Sequence, residues 1–201
     1  MSDDALTPLE TLALTLYDIG AVQFGKYKLS TGKKTSVMLD LRLLVSYPGA
    51  LHQVAMTYSD CLDRLGLKFD LLTAPPMAGL PIGTALCLQT GRPLIYPRKT
   101  AKSYGSGKGI EGTWSIGQKV VVVDDVITSG NSIIQTIAVL KASGLRIKHA
   151  VVLIDREQGG AKMLDAEGYQ LHSVMSLNYL LSTLRDQGRI SQKQYKRATR
   201  R

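Results

Sequence analysis

The chain has 201 residues, 44% of them hydrophobic and 20% charged, an ordinary composition for one globular domain. Its two cysteines, Cys61 and Cys87, stand far apart and in no metal-ligand spacing, so they read as buried thiols in a reducing cytoplasm and exclude a disulfide framework. Twenty-five Lys and Arg against sixteen Asp and Glu give a net charge of +9, an excess that suits an anionic partner, either a phosphate-rich small molecule or nucleic acid.

The opening MSDDALTPLE is acidic and has no apolar signal core, so secretion is not expected. TPLE predicts a helix start, with Thr7 as cap, Pro8 in the first turn and Glu10 reaching back. Leu9, Leu12, Ala13 and Leu16 then share one helical face. FGKYKLSTGKKTSVMLDLR alternates apolar residues around a glycine turn and predicts strands or a hairpin. A second helix begins near Pro48, carries its stripe on Leu51, Val54, Ala55, Tyr58, Leu62 and Leu65, and stops near Gly66.

From there the rhythm is strand, helix, strand. FDLLTAP, PLIYP, KVVVVDD, KHAVVLID and LHSVMS predict strands, with helices through Thr84 and Leu88 and over Asn131 to Ala142. The uncharged run from Leu71 to Gly91 holds Pro75, Pro76 and Pro81, which break any single membrane-spanning helix. Apolar runs without alternation imply strands covered on both faces, hence an α/β fold with a mainly parallel sheet flanked by helices. In such sheets ligands sit beyond the carboxyl ends of the strands, where Asp124, Asp125, Asp155 and Arg156 fall. The terminal QKQYKRATRR reads as a solvated, partly disordered basic tail rather than a nucleic-acid arm. His52, His149 and His172 read as structural, and Trp114 as a packing residue.

VVVVDDVITSGNS, Val120 to Ser132, is the most informative stretch. An aspartate-ended strand also occurs in ATPases, but no G-x-x-x-x-G-K-[ST] loop accompanies it here, and GSGKGI fails the dinucleotide fingerprint at Ile110. What remains is a loop whose amides, with the hydroxyls of Thr128, Ser129 and Ser132 and a following helix N-terminus, suit one phosphate. Carboxylates beside that loop suit sugar hydroxyls, which donate to them. Together they describe a holder for ribose 5-phosphate.

This stretch resembles the phosphoribosyl-pyrophosphate (PRPP) motif of type I phosphoribosyltransferases. The resemblance implies that fold with a small N-terminal hood of strands at about 20–45. It implies that Asp124 and Asp125 take the ribose hydroxyls while Val126, Ile127, Thr128, Ser129, Gly130, Asn131 and Ser132 wrap the 5-phosphate.

RKTAKSYGSGKGIEG, Arg98 to Gly112, is dense in glycine and lysine. It reads either as a flexible basic loop without chemistry or as a mobile cationic lid over a pyrophosphate leaving group. It resembles the flap of orotate phosphoribosyltransferases, with Tyr104 as in the branch like the bifunctional UMP synthase. That resemblance implies pyrophosphate contacts from Arg98, Lys99 and Lys102, PRPP binding at Tyr104, a catalytic Lys102, and a site shared across a homodimer. In VVLIDREQGG, Arg156 reads either as paired with Asp155 or a helix end, or as a bidentate grip on a planar carboxylate. The resemblance implies orotate bound by Arg156 and Thr128. It runs from about Leu16 to Ser182.

The expected reaction therefore joins orotate to PRPP, giving orotidine 5′-monophosphate and pyrophosphate. No direct metal ligand set is read; the resemblance implies Mg²⁺ held through PRPP. Cytoplasmic location, no membrane and no nucleic-acid partner are expected, with one domain over residues 1–201, a flap at 98–112 and a basic tail at 190–201. Three positions depart from the family pattern: Ser30 where a lysine is usual, Met38 in the acceptor-lining stretch, and Met77 where a tyrosine is usual. With the +9 charge, the departures at Ser30 and Met77 keep open a PRPP- or nucleotide-sensing regulator that binds nucleic acid. A transferase for another pyrimidine such as uracil also remains open.

Overall fold

Local chemistry at TPLE sets the first helix, α1 (Pro8–Asp18). Thr7 Oγ1 accepts from the Glu10 amide at 3.2 Å, and the Glu10 carboxylate accepts from the Thr7 amide at 2.8 Å, a complete capping box. Leu12, Ala13 and Leu16 face the core. This computed structural model describes residues 5–28, 32, 34–98 and 109–199.

Strands β1 (Val22–Lys28) and β2 (Lys34–Leu39) pair antiparallel as a two-stranded hairpin apart from the main sheet. A short 3-10 helix (Leu41–Ser46) leads to α2 (Pro48–Leu65), which Gly66 ends in the left-handed conformation at φ 58°. The main sheet follows in chain order. Its elements are β3 (Leu71–Thr73), α3 (Gly79–Thr90), β4 (Leu94–Pro97), β5 (Ile110–Glu111), β6 (Lys119–Ile127), α4 (Asn131–Ala142), β7 (Arg146–Asp155), α5 (Gly160–Ala166), β8 (Gln170–Ser176), α6 (Leu177–Asp186) and α7 (Gln192–Ala198).

The sheet has six strands in the order β5-β4-β3-β6-β7-β8, and among these pairs only β4–β5 is antiparallel. The chain steps outward from β3 to β4, then returns to the other side of β3 with β6. That reversal makes the crevice at the carboxyl ends of β3 and β6 the place for a ligand.

The valine run explains why β6 is central. Val121 and Val123 enter the large core with Leu12, Val54, Tyr58 and Leu180, while Val122 enters a second core with Ile133, Ile137 and Leu164. Each fully buried valine contributes ~1.5–3 kcal/mol, so the strand is anchored through both faces. Trp114 packs on a third cluster containing Ile95 and Leu140, as its packing role requires.

Two expectations change. The basic segment near the C-terminus is a helix over Gln192–Ala198, because Ser191 and Gln194 form a second capping box. That signal lay under the charge run. Val126 and Ile127, expected in the phosphate loop, still belong to β6. Leu71 to Gly91 resolves into β3, α3 and their turn, and no helix among the described residues is long and apolar enough to cross a membrane.

Candidate active site

Asp124 is the buried member of the carboxylate pair, at 4% exposure on β6. Its Oδ1 accepts from the Asp125 amide at 3.0 Å and its Oδ2 accepts from the Ser132 hydroxyl at 3.2 Å. Asp125 Oδ1 accepts from the Val126 amide at 2.7 Å. Burial pushes both carboxyls above their ordinary range, and the neighbouring charge of Asp125 raises Asp124 further. The Arg42 guanidinium, held bidentately by Asp40, pulls Asp125 partly back. Among the described residues neither Asp124 nor Asp125 is in an ion pair. A neighbouring pair of hydroxyls, which donate, or a cation carried by a ligand, fits these acceptor oxygens.

Two supports beneath the pair had no motif to announce them. The Tyr58 hydroxyl, fully buried on α2, donates to the Asp124 carbonyl oxygen at 2.5 Å. Tyr58→Phe strands that carbonyl in the core. The expected loss is ~1–3 kcal/mol, read as a lower urea midpoint with an unchanged slope. Gly79, first residue of α3, is the second support. A β-carbon there would lie 3.0 Å from Asp124 Oδ1 and 3.2 Å from the Val123 carbonyl oxygen.

Beyond β6 the loop Thr128 to Gly130 turns into α4. Gly130 has φ 85°, and Asn131 and Ser132 occupy the first helical turn. The segment from Val126 to Ser132 lines a cavity of about 340 Å³. Its lining carries loop amides, the hydroxyl residues Thr128, Ser129 and Ser132 and a helix N-terminus, a set suited to an anion. α5 presses against this loop through a second glycine. A β-carbon at Gly160 would lie 2.6 Å from Ile127 Cγ1 and 3.0 Å from the Thr128 carbonyl oxygen.

Arg98 directly follows β4 and pairs with Glu111 of β5, and its amide donates to the Gly109 carbonyl at 2.8 Å. The two ends of the glycine–lysine segment are thereby pinned side by side. Lys99, Lys102 and Tyr104 lie outside the described residues, as does Ser30.

Geometry removes one of the partners that the sequence offered for Arg156. It is not paired with Asp155, whose carboxylate instead accepts from the Glu157 amide at 2.7 Å. One terminal guanidinium nitrogen donates to Thr35 Oγ1 at 3.2 Å and to the Val37 carbonyl at 3.3 Å, both on hairpin strand β2. Its Nε is buried without a hydrogen-bond partner among the described residues, and Arg156 borders a cavity of about 330 Å³. A buried guanidinium with an open donor suits an acceptor that the described residues do not supply.

The phosphoribosyl transferase domain model matches residues 46–168, which include the carboxylate pair, the loop and Arg156. The orotate phosphoribosyltransferase of Pyrococcus abyssi is 34% identical over 171 residues, covering 85% of this chain and 94% of that one. The chain belongs to the orotate phosphoribosyltransferase family. The bifunctional enzyme PyrF/PyrE of Nostoc sp. is 38% identical over 188 residues, 94% of this chain and 39% of that protein. The solved UMP synthase of Leishmania donovani superposes with a TM-score of 0.87 at 34% identity, covering 94% of this chain and 41% of that one. The chain thus spans about two fifths of the length of these two larger relatives.

Within this family frame the departures have positions. Met77 is 72% exposed beside the crevice, after Pro76, with which it shares a cis peptide bond. Met38 is half-buried on β2, one residue from the Val37 carbonyl that Arg156 holds.

Proposed function

We propose that this protein transfers the 5-phosphoribosyl group from PRPP to orotate, releasing orotidine 5′-monophosphate and pyrophosphate as a step of pyrimidine nucleotide synthesis. The observation that carries the reading is the convergence, at one sheet edge, of an anion-suited loop, a carboxylate pair with one member buried, and a buried guanidinium with an open donor. The loop from Thr128 to Ser132 holds the 5-phosphate, with Thr128 also facing the acceptor. Asp124 and Asp125 accept from the ribose hydroxyls and lie where positive charge develops on the sugar ring. Arg156, oriented by Thr35 and Val37, takes the orotate carboxylate. Arg98 with Lys99 and Lys102 faces the pyrophosphate and stabilises the charge that grows there as the anomeric bond breaks.

Magnesium belongs to the same proposal as an ion that arrives with PRPP and supplies neutralising charge at the pyrophosphate. Asp124 and Asp125 are the carboxylates suited to face it, and no protein nucleophile is required. A homodimer with shared sites and a cytoplasmic location complete the proposal; sedimentation of the purified chain tests the first.

Acceptor competition tests the reading. With orotate, uracil and adenine in one mixture with PRPP and Mg²⁺, orotate is consumed and the neutral bases are not. Arg156→Ala removes a charge-assisted bond of ~1.5–3 kcal/mol, so kcat/KM for orotate falls by roughly 10- to 150-fold. A preference for uracil would overturn the choice of acceptor. Salt-dependent RNA binding without turnover would favour the regulator instead.

A further inference from the structure

A cavity of about 930 Å³, larger than the one at the phosphate loop, lies elsewhere in the molecule. It lies between the β1–β2 hairpin and the C-terminal helix α7, with Glu157 and Gln158 after β7 forming its floor. It adjoins the smaller cavity that Arg156 borders, since both are lined by Glu157, Gln158 and Ala198. Neither the hairpin nor α7 falls within residues 46–168, the part matched by the phosphoribosyl transferase domain model. The walls on this side therefore lie outside the span of that domain model.

Charge decides what this cavity suits. Lys26, Lys28, Lys34 and Arg197 line it, against one acid, Glu157. None of these four cations is in an ion pair among the described residues. Glu157 is engaged elsewhere, because its carboxylate accepts from the Asn178 amide at the start of α6, at 3.3 Å. The cavity thus keeps an uncompensated positive wall, and its size is within the range of small-ligand sites.

α7 is fixed in place by contacts to both neighbours. Tyr195 donates to Asn178 Oδ1 at 3.0 Å, and the Arg185 guanidinium lies 4.4 Å over the Tyr195 ring. On the hairpin side, the Ser36 hydroxyl donates to the Arg197 carbonyl at 3.0 Å. Ser36 is the neighbour of Thr35, which holds Arg156. One continuous connection runs from α7 through β2 to the buried guanidinium.

We infer that α7 is part of the acceptor site: Arg197 selects an anionic aromatic acid, and the Ser36 bond to its carbonyl latches the hairpin that orients Arg156. This rests on the transferase reading above and extends it to a segment outside the span of the domain model. Arg197 is the contact residue and Ser36 a positioning residue.

The test uses the full chain with PRPP, Mg²⁺ and either orotate or uracil. Arg197→Glu is expected to raise KM for orotate at least 10-fold, and Arg197→Gln about 3- to 10-fold, with KM for PRPP moving less than twofold. Arg197→Lys restores most of the loss. The Arg197→Gln effect shrinks as ionic strength rises from about 0.05 to 0.5 M, because the guanidinium is exposed. Ser36→Ala lowers the preference for orotate over uracil and leaves KM for PRPP within twofold. Orotate KM within twofold of wild type in Arg197→Glu would overturn the inference, as would an equal rise in KM for PRPP. Orotate affinity measured by calorimetry separates the two claims. If wild type binds orotate without turnover, the transferase reading fails and the affinity of Arg197→Glu still decides the inference. If wild type does not bind orotate at all, both fail.

Discussion

Asp124→Asn is expected to make the free protein more stable at neutral pH and to make it almost inactive. Burial raises the Asp124 carboxyl well above its ordinary value of 3.8, so the folded state holds that proton more tightly than the unfolded chain does. The stability linked to the group is therefore fully present below 3.8 and is lost as pH rises through the raised folded value. An amide cannot ionise and so avoids the loss. It also keeps an oxygen for the Asp125 amide and an NH₂ for the Ser132 hydroxyl. Melting curves should show the variant above wild type at pH 7–8, with the gap closing as pH falls towards the ordinary carboxylate range. Activity moves the other way. Losing the charge opposite two ribose hydroxyls removes charge-assisted bonds of ~1.5–3 kcal/mol each, so kcat/KM for PRPP falls by about 10²–10⁴. A variant less stable than wild type at pH 7, or one with normal turnover, would show that Asp124 is there to hold the fold.

The second large effect belongs to the glycines behind the phosphate loop. Gly130 combines φ 85° with a would-be β-carbon only 2.6 Å from Leu164 Cδ1, and Gly160 is as tightly opposed by Ile127. Either position changed to alanine must move a packed side chain or the loop itself. For Gly130→Ala, overpacking and left-handed strain together are expected to cost ~2–4 kcal/mol, or roughly 4–16 °C in Tm for a chain of this size. The cost falls on the loop, so KM for PRPP rises as well. Gly49 is the contrast. It lies in the first turn of α2 with nothing within 4 Å of a β-carbon, and Gly49→Ala should gain ~0.4–1 kcal/mol. Chemical denaturation of the three proteins side by side checks the ranking. Equal effects at Gly130 and Gly49 would contradict the packing account.

What sequence alone could reach follows the same physics. Val120 to Ser132 was readable because an unalternated apolar run, a carboxylate pair and a hydroxyl-rich turn are all local patterns. The end of α2 at Gly66 was readable because left-handed backbone selects glycine. Tyr58 was visible on the α2 stripe, but its bond to Asp124 spans 66 positions and leaves no local trace. Gly160 likewise owes its identity to Ile127 and Thr128 across a helix interface. Arg156 had two local readings, and only the fold shows that it reaches back to Thr35 and Val37. α7 was misread as a tail because charge hid the Ser191–Gln194 capping box. Lys99, Lys102 and Tyr104 remain expectations from the sequence, outside the described residues.

One measurement tests the central claim most directly. Purified protein is mixed with PRPP, orotate and Mg²⁺, and orotate consumption is followed alongside released pyrophosphate and the nucleotide formed. The account predicts one pyrophosphate and one orotidine 5′-monophosphate for each orotate consumed, with activity lost in Lys102→Ala and on chelation of the metal. A folded, magnesium-supplied sample that binds PRPP but consumes no orotate would contradict it.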